Sequence, residues 1–204
     1  MEIIYEVETR FYFKDKEEAY TALPFLDSCL DIEVEWETFH YGIDLYKKDI
    51  ILRINDAKSN NQRIITLGYK EPDLGEVVNI RKEYNEEITN GIEGSRILHI
   101  LGRKKSVNSP AEVKEELKRL GHHEFMYFTG RNLAGEYKPL DLHLKLMYCK
   151  ALAYPLLLEI EKEARTIEEA ATRENEILDF IKKYNLEGRM VKKEPPTLLY
   201  KSLF

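Results

Sequence analysis

From Ile3 to Phe13 the chain alternates. Glu6, Glu8, Arg10 and Tyr12 fall on one side of an extended backbone, and Val7, Thr9, Phe11 and Phe13 on the other, the period of a strand. Ile50–Asn55 repeats the pattern, setting Ile50, Leu52 and Ile54 against Ile51, Arg53 and Asn55. The polar run Asp56–Gln62 predicts a turn into a strand over Arg63–Lys70, and Val77–Glu87 continues the meander. Lys70, Arg81 and Glu83 take polar-face positions there. Further strands are predicted at Trp36–Tyr41, Phe125–Asn132, Asp141–Cys149 and Leu156–Arg165. In Asp141–Cys149, Leu142, Leu144, Leu146 and Tyr148 face away from His143, Lys145, Met147 and Cys149, and in Leu156–Arg165 one face carries Glu159 and Glu161.

Helical periods separate these strands. Asp15 caps a helix over Lys16–Cys29 that Pro24 must kink or divide, and Ile92–Leu101 is a short amphipathic segment. Ser109 with Glu112 and Thr166 with Glu169 form capping boxes, opening helices that run to Gly121 and to about Tyr184. Gly188 lies past the end of the second, followed by a Pro195-Pro196 tail. No repeat, low-complexity segment or linker interrupts residues 1–204, so a single domain is expected.

Composition narrows the class of protein. Hydrophobic residues make up 43% and charged residues 33%, which fits a soluble globular chain. With 31 Lys+Arg against 37 Asp+Glu the net charge is -6, which argues against a general nucleic-acid binder. Two cysteines, Cys29 and Cys149, are too few for a disulfide framework, and no signal peptide is evident. The longest apolar stretch, Ala151–Leu158, is far short of the ~20 residues of a membrane helix. A cytoplasmic protein without membrane or nucleic-acid partners is expected.

The polar strand faces admit two explanations. A single amphipathic strand turns its polar side to water. Recurring acid pairs and isolated bases also suit a closed antiparallel barrel whose interior is polar and whose apolar outside is covered by helices. The alternation alone does not choose between them. The basic run Gly102-Arg103-Lys104-Lys105-Ser106 lacks the glycine of a Walker loop and reads as an exposed loop.

The order of several short motifs adds to this. Glu6-Val7-Glu8-Thr9-Arg10 resembles the acidic-x-acidic-x-basic signature of the CYTH family, the triphosphate tunnel enzymes, which include class IV adenylyl cyclases, thiamine triphosphatases and inorganic triphosphatases. Leu52-Arg53-Ile54, Lys70 ahead of Pro72, Arg81-Lys82-Glu83, Leu120-Gly121 followed by Arg131, Leu158-Glu159-Ile160-Glu161 and the Tyr/Leu-rich Leu198–Phe204 are similar to later family motifs, in the family's order.

The resemblance implies an α+β fold: a closed antiparallel β-barrel (tunnel) of about eight strands with helices packed outside. It implies Mg²⁺ or Mn²⁺ as cofactor, with Glu6, Glu8, Glu159 and Glu161 as metal ligands and Glu83 binding metal through water or orienting a base. Arg53, Lys70, Arg81 and Arg131 would bind a small-molecule triphosphate substrate, and Glu6, Glu8, Arg10 and Lys70 would serve the chemistry, Arg10 also as a substrate contact. A homodimer is implied by the resemblance only. Hard divalent ions prefer carboxylate oxygen, and a polyphosphate requires several cations around it.

Four positions depart from the family pattern. Arg10 stands for a lysine and cannot act as a base, Asn55 and Thr129 stand where bases are usual, and Cys149 stands for an aspartate. Lys145, on the face of Cys149 by alternation, is expected to restore one charge and bind phosphate. The leading expectation is hydrolysis of an inorganic, nucleoside or thiamine triphosphate. The alternatives are cyclisation of ATP to cyclic AMP and pyrophosphate, and a non-catalytic nucleotide or polyphosphate sensor.

Overall fold

The computed structural model describes residues 4–60, 62–103 and 106–203. Ile3, Asn61, Lys104, Lys105 and Phe204, which fall within the segments named above, lie outside them. Strand β1 is Ile4–Phe13. Asp15 then caps α1 (Lys16–Ala22), its side chain accepting from the Glu18 amide at 2.9 Å. Pro24 divides the helix as expected, and α2 (Leu26–Cys29) follows the break.

Strand β2 covers Leu30–Tyr41, six residues earlier than the predicted start, because Ile32 and Val34 continue the alternation that leads to Trp36. Gly42, at φ 72°, turns the chain into α3 (Ile43–Tyr46). Strands β3 (Ile51–Ser59) and β4 (Gln62–Lys70) pair as far as Ser59 opposite Gln62, so the hairpin is tighter than the expected Asp56–Gln62 turn. Asp56 lies inside β3, where Arg63 donates to both its carboxylate oxygens at 2.8 and 2.6 Å. The chain continues through β5 (Asn79–Glu87), α4 (Arg96–Ile100) and α5 (Pro110–Arg119), the last capped by Ser109 with Pro110 at its first turn. Strands β6 (Glu124–Tyr137), β7 (Leu142–Tyr148) and β8 (Leu156–Ala164) follow, then α6 (Ile167–Lys183) behind its Thr166 cap. Pro195-Pro196 opens α7 (Pro195–Leu203) in place of the expected tail, since a proline is accommodated in a helix's first turn.

The eight strands form a closed antiparallel barrel in the order β1-β5-β4-β3-β2-β6-β7-β8. No helix among the described residues is long and apolar enough to cross a membrane. Two compact units divide the chain, one of them comprising the residues up to Val34, Leu74–Arg81 and the chain from Gly130 on. In this unit Val7, Phe11, Leu144, Leu158 and Ile160 pack with α1, α2 and α6 through Ala19, Leu26, Ile177 and Phe180, and with Leu23 just past α1. Each of the larger apolar side chains, removed from water, stabilises the fold by roughly 1.5–3 kcal/mol before entropy is counted. Since the helices cover the Val7 face, the Glu6 face of β1 is the one turned away from them.

The second unit holds Glu35–Asp73 and Lys82–Thr129. Leu52, Ile54, Leu67 and Tyr84 pack there against Ile97 and Leu98 of α4 and Val113 and Leu117 of α5. Buried Glu86 anchors α4: its carboxylate accepts from the Arg96 amide at 2.6 Å and from the Ser95 hydroxyl at 2.5 Å.

Gly135 permits a close crossing in the first unit. A Cβ at that position would lie 1.7 Å from the Cys29 carbonyl oxygen. Gly135→Ala is therefore expected to destabilise the protein by roughly 1–3 kcal/mol or more, read as a lower urea midpoint; an unchanged midpoint would refute the crossing.

Candidate active site

In a strand, residues two apart share a face, and in an antiparallel pair the residues opposite one another do too. Those two rules assemble an acid centre from β1, β7 and β8. Glu8 lies opposite Glu161, Arg10 opposite Glu159, and Lys145 opposite Glu159 on the other side of β8. Glu6, Glu8, Glu159 and Glu161 therefore occupy one face, and all four are buried, Glu8 to 1% exposure. Ligand oxygens of Glu6, Glu8 and Glu161 lie within 4.8 Å of one another. The donor set, three carboxylates with oxygens this close, fits a hard divalent cation such as Mg²⁺ or Mn²⁺, which prefers carboxylate oxygen.

Two side-chain cations of the same unit enter this centre. Arg10 places Nε 2.7 Å from Glu159 Oε2, Nη2 2.7 Å from Glu8 Oε1 and Nη1 3.2 Å from Asn79 Oδ1. Lys145 places Nζ 2.7 Å from Glu161 Oε2 and 3.1 Å from Glu159 Oε1. Burial disfavours the Arg10 charge, and partial burial that of Lys145, whose side chain is 37% exposed, but the carboxylates outweigh it. Glu8, Glu159 and Glu194 hold the Arg10 guanidinium well above its ordinary value, and Glu161, Glu159 and Glu6 do the same for the Lys145 ammonium. Both remain charged throughout the neutral range. Lys145, expected to meet phosphate, meets carboxylates.

Arg81 sits in this unit as well, and its Nε lies 2.5 Å from Glu194 Oε1, just ahead of α7. Both residues are buried. Arg131 is placed differently from the expectation. It lies opposite Tyr148, two residues from the Leu133–Leu146 pair, so the register puts it on the apolar side of β6 and β7. There its guanidinium is exposed and sits 5.3 Å from the Tyr148 ring centroid. Ala134, not Arg131, shares a register position with Lys145. Cys149 is a buried free thiol that burial pushes up in pKa, which suits packing and not nucleophilic attack.

The second unit carries a cationic group. Lys70 is 2% exposed and lies opposite Glu83, with Nζ 3.5 Å from Glu83 Oε2, while Arg53 Nη2 lies 3.1 Å from Glu83 Oε1. Glu83, expected to serve the metal, is thus held by the two bases expected to serve phosphate. Gly68, opposite Arg53, gives that side chain its path: a Cβ there would come within 3.2 Å of Arg53 Cγ and Nε. Asn55 accepts a 2.6 Å hydrogen bond from Thr38, an uncharged pair where the family pattern has a base.

Two buried residues were passed over in the sequence, Glu194 in the first unit and His40 in the second. His40 lies opposite Arg53 and is 1% exposed, its ring stacked 5.5 Å from that of Phe128. Neither ring nitrogen has a hydrogen-bond partner among the described residues. Burial, and then Arg53, lowers its pKa to about 3, so the imidazole is neutral at working pH. The unfolded chain takes up this proton near pH 6.5 and the folded chain does not, so stability falls as pH drops from about 6.5 towards 3. His40→Phe is expected to remove about 3 kcal/mol of the loss between pH 7 and pH 4. Urea titrations at both values check this; equal losses in the two proteins would contradict it.

No protein-family model and no curated protein matches this sequence. Solved structures do match. The PH1819 protein of Pyrococcus horikoshii OT3 superposes with a TM-score of 0.71 at 18% identity, over 97% of this chain and 99% of that one. A candidate adenylate cyclase from Vibrio parahaemolyticus gives 0.63 at 12% identity, over 96% and 98% of the two chains. HpAC1 from Hippeastrum, described as having a dominant triphosphatase activity, gives 0.58 at 15% identity, over 98% and 96%. At these identities the likeness is one of fold, and the fold is the closed barrel that the motif resemblance implied.

Proposed function

We propose that this chain is a divalent-metal-dependent enzyme of the triphosphate tunnel (CYTH) type that hydrolyses a small-molecule triphosphate. The observation that carries the reading is the buried trio Glu6, Glu8 and Glu161, set on one strand face by register and close enough to share one cation. These three would hold Mg²⁺ or Mn²⁺, which when bound supplies charge neutralisation to the phosphate chain.

The chain's own residues do the rest. Arg53 and Lys70, steadied by Glu83, offer N–H donors to phosphate oxygens, and Arg53 has the planar fork that fixes oxygen geometry. Arg81 contributes once its partner Glu194 exchanges for a phosphate oxygen. Arg10 cannot accept a proton at ordinary pH, so its work is to hold Glu8 and Glu159 in place and not to activate water. Hydrolysis is favoured because it requires a water, a held phosphate chain and charge stabilisation, whereas cyclisation also requires a base pocket and a bent nucleotide. The triphosphatase activity given for HpAC1 supports the same choice, and the cyclase description of the Vibrio protein supports the second reading, conversion of ATP to cyclic AMP and pyrophosphate.

Product analysis separates these. The protein is incubated with Mg²⁺ or Mn²⁺ and either ATP, inorganic triphosphate or thiamine triphosphate. Orthophosphate is the expected product. Cyclic AMP with pyrophosphate would replace hydrolysis by the cyclase, and binding without product would leave a sensor.

A further inference from the structure

The acid centre contains a cation of its own. Lys145 Nζ reaches one oxygen of Glu161 at 2.7 Å and one of Glu159 at 3.1 Å. Arg10 Nε takes the other oxygen of Glu159 at 2.7 Å. Both Glu159 oxygens are therefore engaged by cations of the chain, and Glu159 is not among the carboxylates grouped within 4.8 Å, which are Glu6, Glu8 and Glu161.

Resting on the metal-dependent reading above, we propose that the Lys145 ammonium permanently fills one cation position of the acid centre. It limits the centre to one divalent ion, held by Glu6, Glu8 and Glu161, and makes Glu159 a counter-ion instead of a ligand. The geometry accounts for each part. An ammonium between Glu159 and Glu161 stands where a second ion held by those two carboxylates would have to stand, and like charges at such separations repel. Lys145 is fixed to this face by its register opposite Glu159, with Glu161 and Glu159 holding its charge. A monovalent, strand-borne cation offsets the repulsion between the carboxylates before the metal arrives. It also weakens the metal's binding, because the incoming ion meets a charge already present.

The consequence is measurable without turnover. Mn²⁺ is titrated into the full chain by calorimetry, with free Mn²⁺ followed by electron paramagnetic resonance. The comparison is between the wild type, Lys145→Gln and Lys145→Arg, each checked for folding by circular dichroism. The wild type is expected to take up one Mn²⁺ per chain. Lys145→Gln should take up a second ion or bind the first at least about tenfold more tightly, and Lys145→Arg, which keeps the charge, should stay at one. Two ions in the wild type would overturn the proposal while leaving the metal reading intact, and that count requires no variant to fold. A Lys145→Gln protein identical to wild type in number and affinity would overturn it too. Uptake by none of the three proteins would remove the metal reading itself, and the proposal with it.

Discussion

Glu6→Gln and Glu161→Gln are each expected to lower metal-stimulated turnover by roughly a hundredfold or more, with no loss of fold. Each change removes one carboxylate from a trio whose oxygens lie within 4.8 Å, leaving an amide of the same shape. A neutral amide is a poorer ligand for a hard cation, so two charged groups hold the ion where three did. In the metal-free protein Glu6→Gln relieves repulsion within the trio, whereas Glu161→Gln also gives up its 2.7 Å pair with Lys145, so Glu161→Gln should melt below Glu6→Gln. Initial rates against Mn²⁺ concentration, with thermal melts in chelator, test both halves. Normal metal dependence in both variants would defeat the assignment of the trio.

Arg10→Met should give the largest loss of stability. The Arg10 guanidinium is 2% exposed and bridges Glu8 and Glu159, with Asn79 as a third partner. Removing it leaves two buried carboxylates without their guanidinium, which costs about 3–5 kcal/mol and lowers the melting temperature by on the order of 10 °C. Arg10→Lys should recover only part of this, because one ammonium cannot reproduce a fork whose Nε, Nη1 and Nη2 meet three different residues. A melting temperature within a degree or two of wild type for Arg10→Met would contradict the bridging role. The pairing also gives a physical reason for arginine where the family pattern has lysine.

The acid centre was legible in the sequence because its geometry is local to two strands. Glu6 and Glu8, like Glu159 and Glu161, are two residues apart, and that spacing alone sets each pair on one face. That the two pairs meet depends on the register of β1 with β8, which only the family resemblance implied. Arg131 shows where the reading ran out. The alternation in Phe125–Asn132 defines two faces but not which one joins Lys145, and the observed register pairs Arg131 with Tyr148. Lys145 was placed on the right face by alternation, but its partners come from β8, fourteen and sixteen positions away.

Other features depended on distant contacts. His40 lies in a segment predicted as a strand, yet its burial follows from Arg53 opposite and Phe128 stacked on its ring. Glu194 stands in a segment read as a tail, and its importance appears only when the chain returns to Arg81. The early start of β2 was hidden because Asp31, Glu33 and Glu35 make a charged run that resembles a loop until its alternation with Ile32 and Val34 is followed. Helix boundaries carried by caps were readable, since Asp15, Ser109 and Thr166 act on amides three residues ahead.

The central claim is that this barrel hydrolyses a triphosphate with a metal held by Glu6, Glu8 and Glu161. Its most direct measurement is orthophosphate release from inorganic triphosphate by the purified protein, in Mn²⁺, after chelation, and after Mn²⁺ is restored. Release that stops with chelator and returns with Mn²⁺ is the predicted result. Release that continues undiminished in chelator, or triphosphate bound in Mn²⁺ with no orthophosphate formed, would contradict it.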